Sequence, residues 1–354
     1  MEITIGKKQI SRRHPTYFVA DIAANHDGQL ERAVELIRKA SVAGADAAKF
    51  QHFRAESIVS REGFASMDVK LSHQAEWKKS VFEVYREASI PWEWTTVLKK
   101  TCEDVGIEFM SAPYDLQAID MLDPFLNAYK VGSGDITWIE ELEYMARKGK
   151  PILLATGASD LGDVQRAVQA VRKWNQKLVL MQCNTNYTGS VDNFRYVQLG
   201  VLQTYAAMYP DFVLGLSDHT PGYAVVLGAV ALGARVIEKH FTDDCTREGP
   251  DHAFSLDPAN WREMVERTRE LEAALGDGDK HVQANEQQTV IVQRRCLRAA
   301  RALPKGVVLA RCDVEILRPA PIDSIFPYDL DRVVGARTRR TCLKGDYFKW
   351  SDLC

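Results

Sequence analysis

Two lysines, two histidines and two carboxylates stand at the ends of short apolar runs, where an unpaired buried charge is costly. Lys49 lies between Ala48 and Phe50, late in one such run, and Lys130 opens the string KVGSGD. With Gln51, Ser133 and Ser217 as amide and hydroxyl donors, the pair suits a small polyanion such as a phosphorylated carboxylate. The plainer reading, a lysine snorkelling to the rim, fits Lys49 less well because of its apolar neighbours. His219 and His240 close two successive runs. Matching positions favour a divalent metal over two unrelated hydrogen-bonded rings, since neutral imidazole is the commonest ligand. Asp21 and Glu238 occupy equivalent ends, and either carboxylate is able to carry a proton.

The elements that must hold these groups alternate. Runs at 17–23, 46–51, 108–112, 128–132, 152–156, 178–183, 213–217 and 235–240 read as strands, separated by segments of helical period. In ERAVELIRKASVAG, Ala33, Leu36, Ile37 and Ala40 make one apolar stripe that Gly44 ends. Eight strand–helix units imply parallel strands and a closed (β/α)₈ barrel, whose chemistry belongs at the C-terminal strand ends. Those ends are polar here: Asp21 and Asn25, Lys49 and Gln51, Ser111, Lys130 and Ser133, Thr156, Gln182 and Asn184, Ser217 to His219, and Glu238 to His240. Strand alternation puts Lys49 with Gln51, Ser217 with His219, and Glu238 with His240. It sends Lys239 the other way, toward the rim. Lys130 and Ser133 have opposite parity, so both line one site only where the strand breaks at Gly132 or Gly134. The six other histidines, at 14, 26, 52, 73, 252 and 281, carry weaker cases; His26 and His252 adjoin the mouth as hydrogen-bonding groups. Cys183 reads as a small buried thiol rather than a nucleophile.

The chain has 354 residues, and a barrel takes about 250, which leaves room for a small second domain. A net charge of -3 supplies no general attraction for nucleic acid or an anionic membrane. No run approaches the roughly 18 apolar residues of a membrane span. The seven cysteines are odd in number and lack a Cys-x-x-Cys pair, so reduced thiols in a cytoplasmic, unexported protein are expected. The first 15 residues alternate like a short hairpin and lack an apolar signal core. The barrel is expected over 1–275, and a polar, glycine-bearing linker over 276–290. A β-rich domain is expected over 291–354, with strands in RRCLRAAR, VEILRP and DRVVGART and turns at Gly306 and Gly345.

The strings ADIAANHDG, GADAAKFQ, KVGSGD, ATGA, GLSDHTPG, ALGARVIEKHFT and GPDH occur in that order, and with them the chain resembles the sialic acid (N-acetylneuraminate) synthases. From about 291 it is similar to their C-terminal antifreeze-like (SAF) domain. The resemblance implies condensation of phosphoenolpyruvate with N-acetylmannosamine or a related open-chain aldose, releasing phosphate. It implies a divalent ion, Mn²⁺ with Mg²⁺ or Co²⁺ as alternatives, on His219 and His240. Lys49, Gln51, Lys130, Ser133 and Ser217 match the positions holding phosphoenolpyruvate, and Tyr187 and Asp251 match those facing the sugar, with Thr185 also in the substrate site. Lys49, Asp21 and Glu238 are the catalytic candidates. The family pairs as a domain-swapped homodimer in which Arg318 reaches the sugar's N-acyl group across the subunits.

Departures from the family pattern concern the acceptor. Asp21 stands for a glutamate, Ser111-Ala112-Pro113 for Ser-Thr-Pro, Gln182-Cys183 for His-Cys, and Thr188 for proline. The loop usually reading Arg-Pro-Gly-x-Gly is Arg318-Pro319-Ala320-Pro321-Ile322, which loses the backbone freedom of both glycines. A 2,4-diacetamido-trideoxyhexose acceptor, giving a legionaminate- or pseudaminate-type product, is therefore the second reading. A metal-dependent sugar isomerase or hydrolase on the same barrel would need no phosphoenolpyruvate. A carbohydrate- or ice-binding protein would have no reason to bring Lys49, Lys130, His219 and His240 together.

Overall fold

The protein is described here from a computed structural model covering residues 2–67, 74–75 and 77–354. His73 lies outside the described residues. The chain divides into two compact units, 1–276 and 277–354.

The first unit contains eight parallel strands: β1 (Tyr17–Asp21), β2 (Ala47–His52), β3 (Glu108–Pro113), β4 (Tyr129–Val131), β5 (Ile152–Ala155), β6 (Leu178–Cys183), β7 (Val213–Asp218) and β8 (Ala234–His240). They pair in the order β3-β2-β1-β8-β7-β6-β5-β4. The two outermost, β3 and β4, lie side by side and bring the sheet round into a barrel. A helix follows each strand: α1 (Leu30–Val42), α2 (Thr95–Val105), α3 (Leu116–Leu122), α4 (Ile139–Arg147), α5 (Leu161–Arg172), α6 (Val201–Met208), α7 (Ala224–Ala231) and α8 (Pro258–Leu275). Their starts follow local chemistry. Asp160 caps α5 through the Asp163 N–H, and Asp257 caps α8 just ahead of Pro258.

Two apolar layers result from the strand period of two. Phe18, Ala20, Phe50, Phe109 and Ile237 face outward, against helix stripes that include Ala33, Leu36, Ile37 and Ala40. Val19, Met110, Leu153, Val179 and Val236 face inward. The inner layer is completed by Ile3, Ile5 and Ile10 from an N-terminal hairpin, Ile3–Ile5 paired with Lys8–Ile10. Burying each isoleucine contributes about 1.5–3 kcal/mol. This plug belongs to the apolar layer inside the barrel, while the polar strand ends lie at the C-terminal face.

Between β2 and α2 the chain makes a long excursion containing the short helices Ala55–Ile58, Arg61–Ala65 and Val81–Ala88. Ser80 and Glu83 cap the last of these reciprocally.

The second unit packs Leu297, Leu309, Val333, Cys342 and Phe348 around antiparallel strands β9 (Cys296–Ala299) and β10 (Val314–Leu317). Gly306 and Gly345 both take φ of 88°, as turns require. One expectation fails here. DRVVGART is not a strand: Leu330–Val333 is one helical turn, and Val333 anchors it in the core. The segment expected to be linker is partly helical, with Ala284–Glu286 as a 3₁₀ turn and Gln287–Gln293 as a helix. Its polar composition reflects exposure of that helix rather than absence of structure.

Candidate active site

Register builds the centre of the barrel mouth. Asp21 on β1 pairs with Lys49 on β2 and with His240 on β8, so three side chains from adjacent strands share one level and one side. Glu238 lies one inward step below His240, level with Ser217 on β7. The groups interlock. Lys49 Nζ donates to Asp21 Oδ2 at 2.7 Å and lies 3.6 Å from Glu238 Oε1. Lys130 Nζ approaches the same Glu238 oxygen at 3.3 Å, and Ser217 Oγ donates to it at 3.3 Å. Gln51 Nε2 donates to Asp21 at 3.1 Å. The Lys49 side chain is only 2% exposed. Burial works against its ammonium form, but Asp21 and Glu238 outweigh burial and raise its pKa. The two lysines and two carboxylates balance, yet Glu238 Oε2 is buried without a partner.

The strand break expected at Gly132 is present. β4 stops at Val131, and Ser133–Asp135 turns as a 3₁₀ segment. Ser133 Oγ accepts from the Gly157 N–H at 2.9 Å. A Cβ on Gly157 would meet Thr185 Oγ1 at 1.9 Å and Ser133 Oγ at 2.9 Å, so ATGA needs its glycine for close approach.

His219 and His240 stand with ring centroids 5.4 Å apart. Two imidazoles sharing an ion about 2.1 Å from each nitrogen have centroids roughly 4.5–6 Å apart. His219 Nδ1 donates to the Asn184 carbonyl at 3.0 Å, which leaves Nε2 with its lone pair. His240 Nδ1 is buried without a hydrogen-bond partner. Burial and then His219 keep the His240 pKa well below its ordinary value, in the neutral form that ligates metals. Residues and spacing therefore fit a divalent ion. Among the described residues no group of three or more His, Cys, Asp or Glu forms a metal cage, so an ion on this pair would draw further ligands from water or substrate.

A cavity of about 460 Å³ opens over this cluster. Gln51, Ser133, Thr185, Tyr187, His240 and Asp251 line it. Asp251 accepts from the Ala24 N–H at 3.0 Å; burial raises its pKa to about 6. Tyr187 packs edge-on against His219, with centroids 4.5 Å apart. Arg318 belongs to the other unit, exposed just after β10.

Several polar strand ends turn away from the mouth. Ser111 Oγ bonds His52 Nδ1, Tyr205 OH donates to Thr156, and Gln182 donates to the Val197 carbonyl. Asn25 donates to the Phe241 carbonyl and Ser255. Lys239 does not reach the rim: it is 1% exposed and donates to Asp218 and the Thr220 carbonyl, both at 2.6 Å. A carboxylate within reach on β7 holds it in the helix-facing layer. His252 is hydrogen-bonded to Thr242 and Asp27, and His26 accepts from Gly28. Cys183 is buried, 3.9 Å from His219 Nδ1, and all seven cysteines are free.

The sequence reading missed the outer wall. Phe53, Tyr85 and Val84 from the long β2–α2 excursion line the cavity with Tyr114 and Asp135. The signals for the first three were the length of that segment and the Ser80-x-x-Glu83 capping box that opens the helix of Val84 and Tyr85. Asp135 ends the string KVGSGD; burial raises its pKa to about 6, against the pull of Lys130.

A closed sheet of parallel strands with a polar C-terminal mouth and an apolar, plugged interior defines a (β/α)₈-barrel enzyme. Comparison with known proteins carries this to a family. The NeuB family model matches residues 36–280, and the SAF domain model matches 294–353. N,N'-diacetyllegionaminic acid synthase of Legionella pneumophila is 33% identical over 95% of this chain and 94% of its own length. Pseudaminic acid synthase of Campylobacter jejuni is 30% identical over 95% and 96%. The crystal structure of N-acetylneuraminic acid synthetase from Leptospira borgpetersenii, in complex with citrate, superposes with TM-score 0.72 at 29% identity, covering 82% of this chain and 95% of that one. The chain belongs to the NeuB family of nonulosonic acid synthases. No helix of the described residues is long and apolar enough to cross a membrane.

Proposed function

We propose that this protein is a transferase that condenses phosphoenolpyruvate with an open-chain N-acylated aldose, N-acetylmannosamine or a related sugar, and releases phosphate. The observation that carries the reading is the buried Asp21–Lys49–Glu238–Lys130 cluster beside the His219–His240 pair, at the floor of a sugar-sized cavity. Lys49, Lys130, Gln51, Ser133 and Ser217 hold the phosphorylated carboxylate, as preorganised donors. Asp251, Tyr187 and Thr185 face the sugar.

The cluster is internally neutral, while phosphoenolpyruvate brings a charge of about −3, with phosphate supplying up to −2 of it. A divalent ion on His219 and His240, Mn²⁺ with Mg²⁺ or Co²⁺ as alternatives, offsets that excess and polarises the sugar aldehyde when bound. The enol carbon attacks the aldehyde carbon, and water adds to the carbon bearing phosphate. The tetrahedral intermediate then breaks its carbon–oxygen bond to expel phosphate. Asp21 and Glu238 both stand in this cluster, and one of them takes a proton from the water and returns it to the aldehyde oxygen, which becomes the new hydroxyl.

The second reading, a 2,4-diacetamido-trideoxyhexose giving a legionaminate- or pseudaminate-type product, is favoured by the wall of Phe53, Val84, Tyr85 and Tyr114. An added acyl or methyl group would pack there. For either acceptor, the resemblance to the sialic acid synthases supports a domain-swapped homodimer, with Arg318 of the partner subunit on the sugar's acyl group. Seven free cysteines agree with a reducing cytoplasm.

The test is phosphate release from phosphoenolpyruvate with manganese across a panel of acceptors. Release with one N-acylated aldose identifies reaction and substrate together. Binding of phosphoenolpyruvate without release from any acceptor would overturn the proposed reaction.

A further inference from the structure

A second cleft, of about 370 Å³, lies at the opposite end of the barrel, where β7 and β8 begin. Its walls carry Arg12, Arg13 and Arg235, with Ser11, Glu2 and Phe212 between them. None of the three arginines has a carboxylate within 4 Å among the described residues, whereas Arg32, Arg301 and Arg340 elsewhere are all paired. Arg235 is half-buried, and its only hydrogen-bond acceptors among the described residues are the Val230 and Ala234 carbonyls, both reached through Nη1. The acid that acts on it, Glu272, is already bonded to the Thr16 N–H and Arg269. Glu2, the one acid on the walls, lies 3.8 Å from His14. Burial first, and then the like charge of Arg12, work against the Arg235 guanidinium.

Three guanidinium groups lining one cleft, none of them in an ion pair among the described residues, are the recognition chemistry of clustered phosphates or carboxylates. We propose that this cleft is an anion site for a small polyanion with two or more phosphate or carboxylate groups. Such a ligand is an effector rather than a substrate, because barrel chemistry takes place at the other end of the strands. The assignment does not depend on the reaction proposed for the mouth.

The experiment is calorimetric titration of the full chain with pyrophosphate and, separately, with citrate. The buffer is free of metal and of phosphoenolpyruvate, which carries a phosphate and a carboxylate itself and would compete for the cleft. Anion should bind, and the part of it that the arginine variants lose reports the cleft rather than the mouth. The Arg12→Gln/Arg13→Gln variant, altered only at exposed side chains, should bind it about tenfold or more weakly, as expected for lost charge-assisted hydrogen bonds. Arg235→Gln should weaken binding further. Preference for pyrophosphate marks a phosphorylated effector, and preference for citrate a polycarboxylate. Binding of neither anion, or equal binding by the double variant and the parent, overturns the proposal.

Discussion

The inner and outer faces of strand β8 carry buried ion networks from consecutive residues, and the two differ in kind. On the outer face Lys239 has two short partners, and Asp218 also accepts from the Thr220 N–H and hydroxyl at 3.0 and 2.9 Å. No side-chain atom of that network is left without a bond. On the inner face Glu238 binds two lysines and Ser217 through one oxygen, while its other oxygen and His240 Nδ1 are buried and unmatched. A closed network holds a fold together; an open one beside a cavity is prepared for a ligand. Burial of charge alone separates neither.

The largest effect that sharpens this contrast is expected at His240. His240→Ala should cut phosphate release about a thousandfold, because several kcal/mol of charge stabilisation depend on the ion it would hold. Manganese affinity should fall with it. Full turnover with unchanged affinity would take the metal off the inner face. Next come the two lysines, compared directly. Lys239→Met strands Asp218 and should cost about 3–5 kcal/mol of stability, read by urea unfolding, with the KM for phosphoenolpyruvate unchanged. Lys130→Met should do the reverse, raising that KM about tenfold or more with a smaller loss of stability. Exchange of these two outcomes would break the comparison.

Glu141 tests whether an unmatched atom suffices without a cavity. It is buried near the start of α4, and neither carboxyl oxygen has a partner. Burial, then Asp135 and Asp115, raise its pKa from 4.5 to about 8. A raised carboxyl contributes stability that is full below 4.5 and lost as pH rises through about 8. Glu141→Gln should therefore melt above the parent at pH 9, and the gap should close toward pH 5. A gap that does not change with pH would mean that Glu141 is not titrating in the fold. The smallest effect is expected at Arg318. Arg318→Ala should raise the sugar's KM several-fold and that of phosphoenolpyruvate less; equal effects would argue against a role at the sugar.

Much of this contrast could be read in the chain before folding. Lys49 between apolar neighbours announced a buried cation, and the glycines of KVGSGD announced the break that lets Lys130 and Ser133 share a site. Parity also separated Lys239 from Glu238 and His240. Its destination was misjudged, because the partner, Asp218, comes from the neighbouring strand and no local pattern reveals it. Ser111, Thr156 and Gln182 looked equivalent to the mouth residues for the same reason. The wall of Phe53, Val84 and Tyr85 was not legible: the Ser80-x-x-Glu83 capping box marks a helix, but nothing local says which of its side chains reach the mouth.

The sequence by itself determined the alternation of strands and helices, the apolar stripes, and which residue types end each strand, because hydrophobic period and turn chemistry are local. Only the tertiary structure decided which parity faces inward, that Asp21, Lys49 and His240 share one level, and which polar atoms remain unmatched. Those depend on inter-strand register and barrel closure, set by pairings between residues distant in the chain.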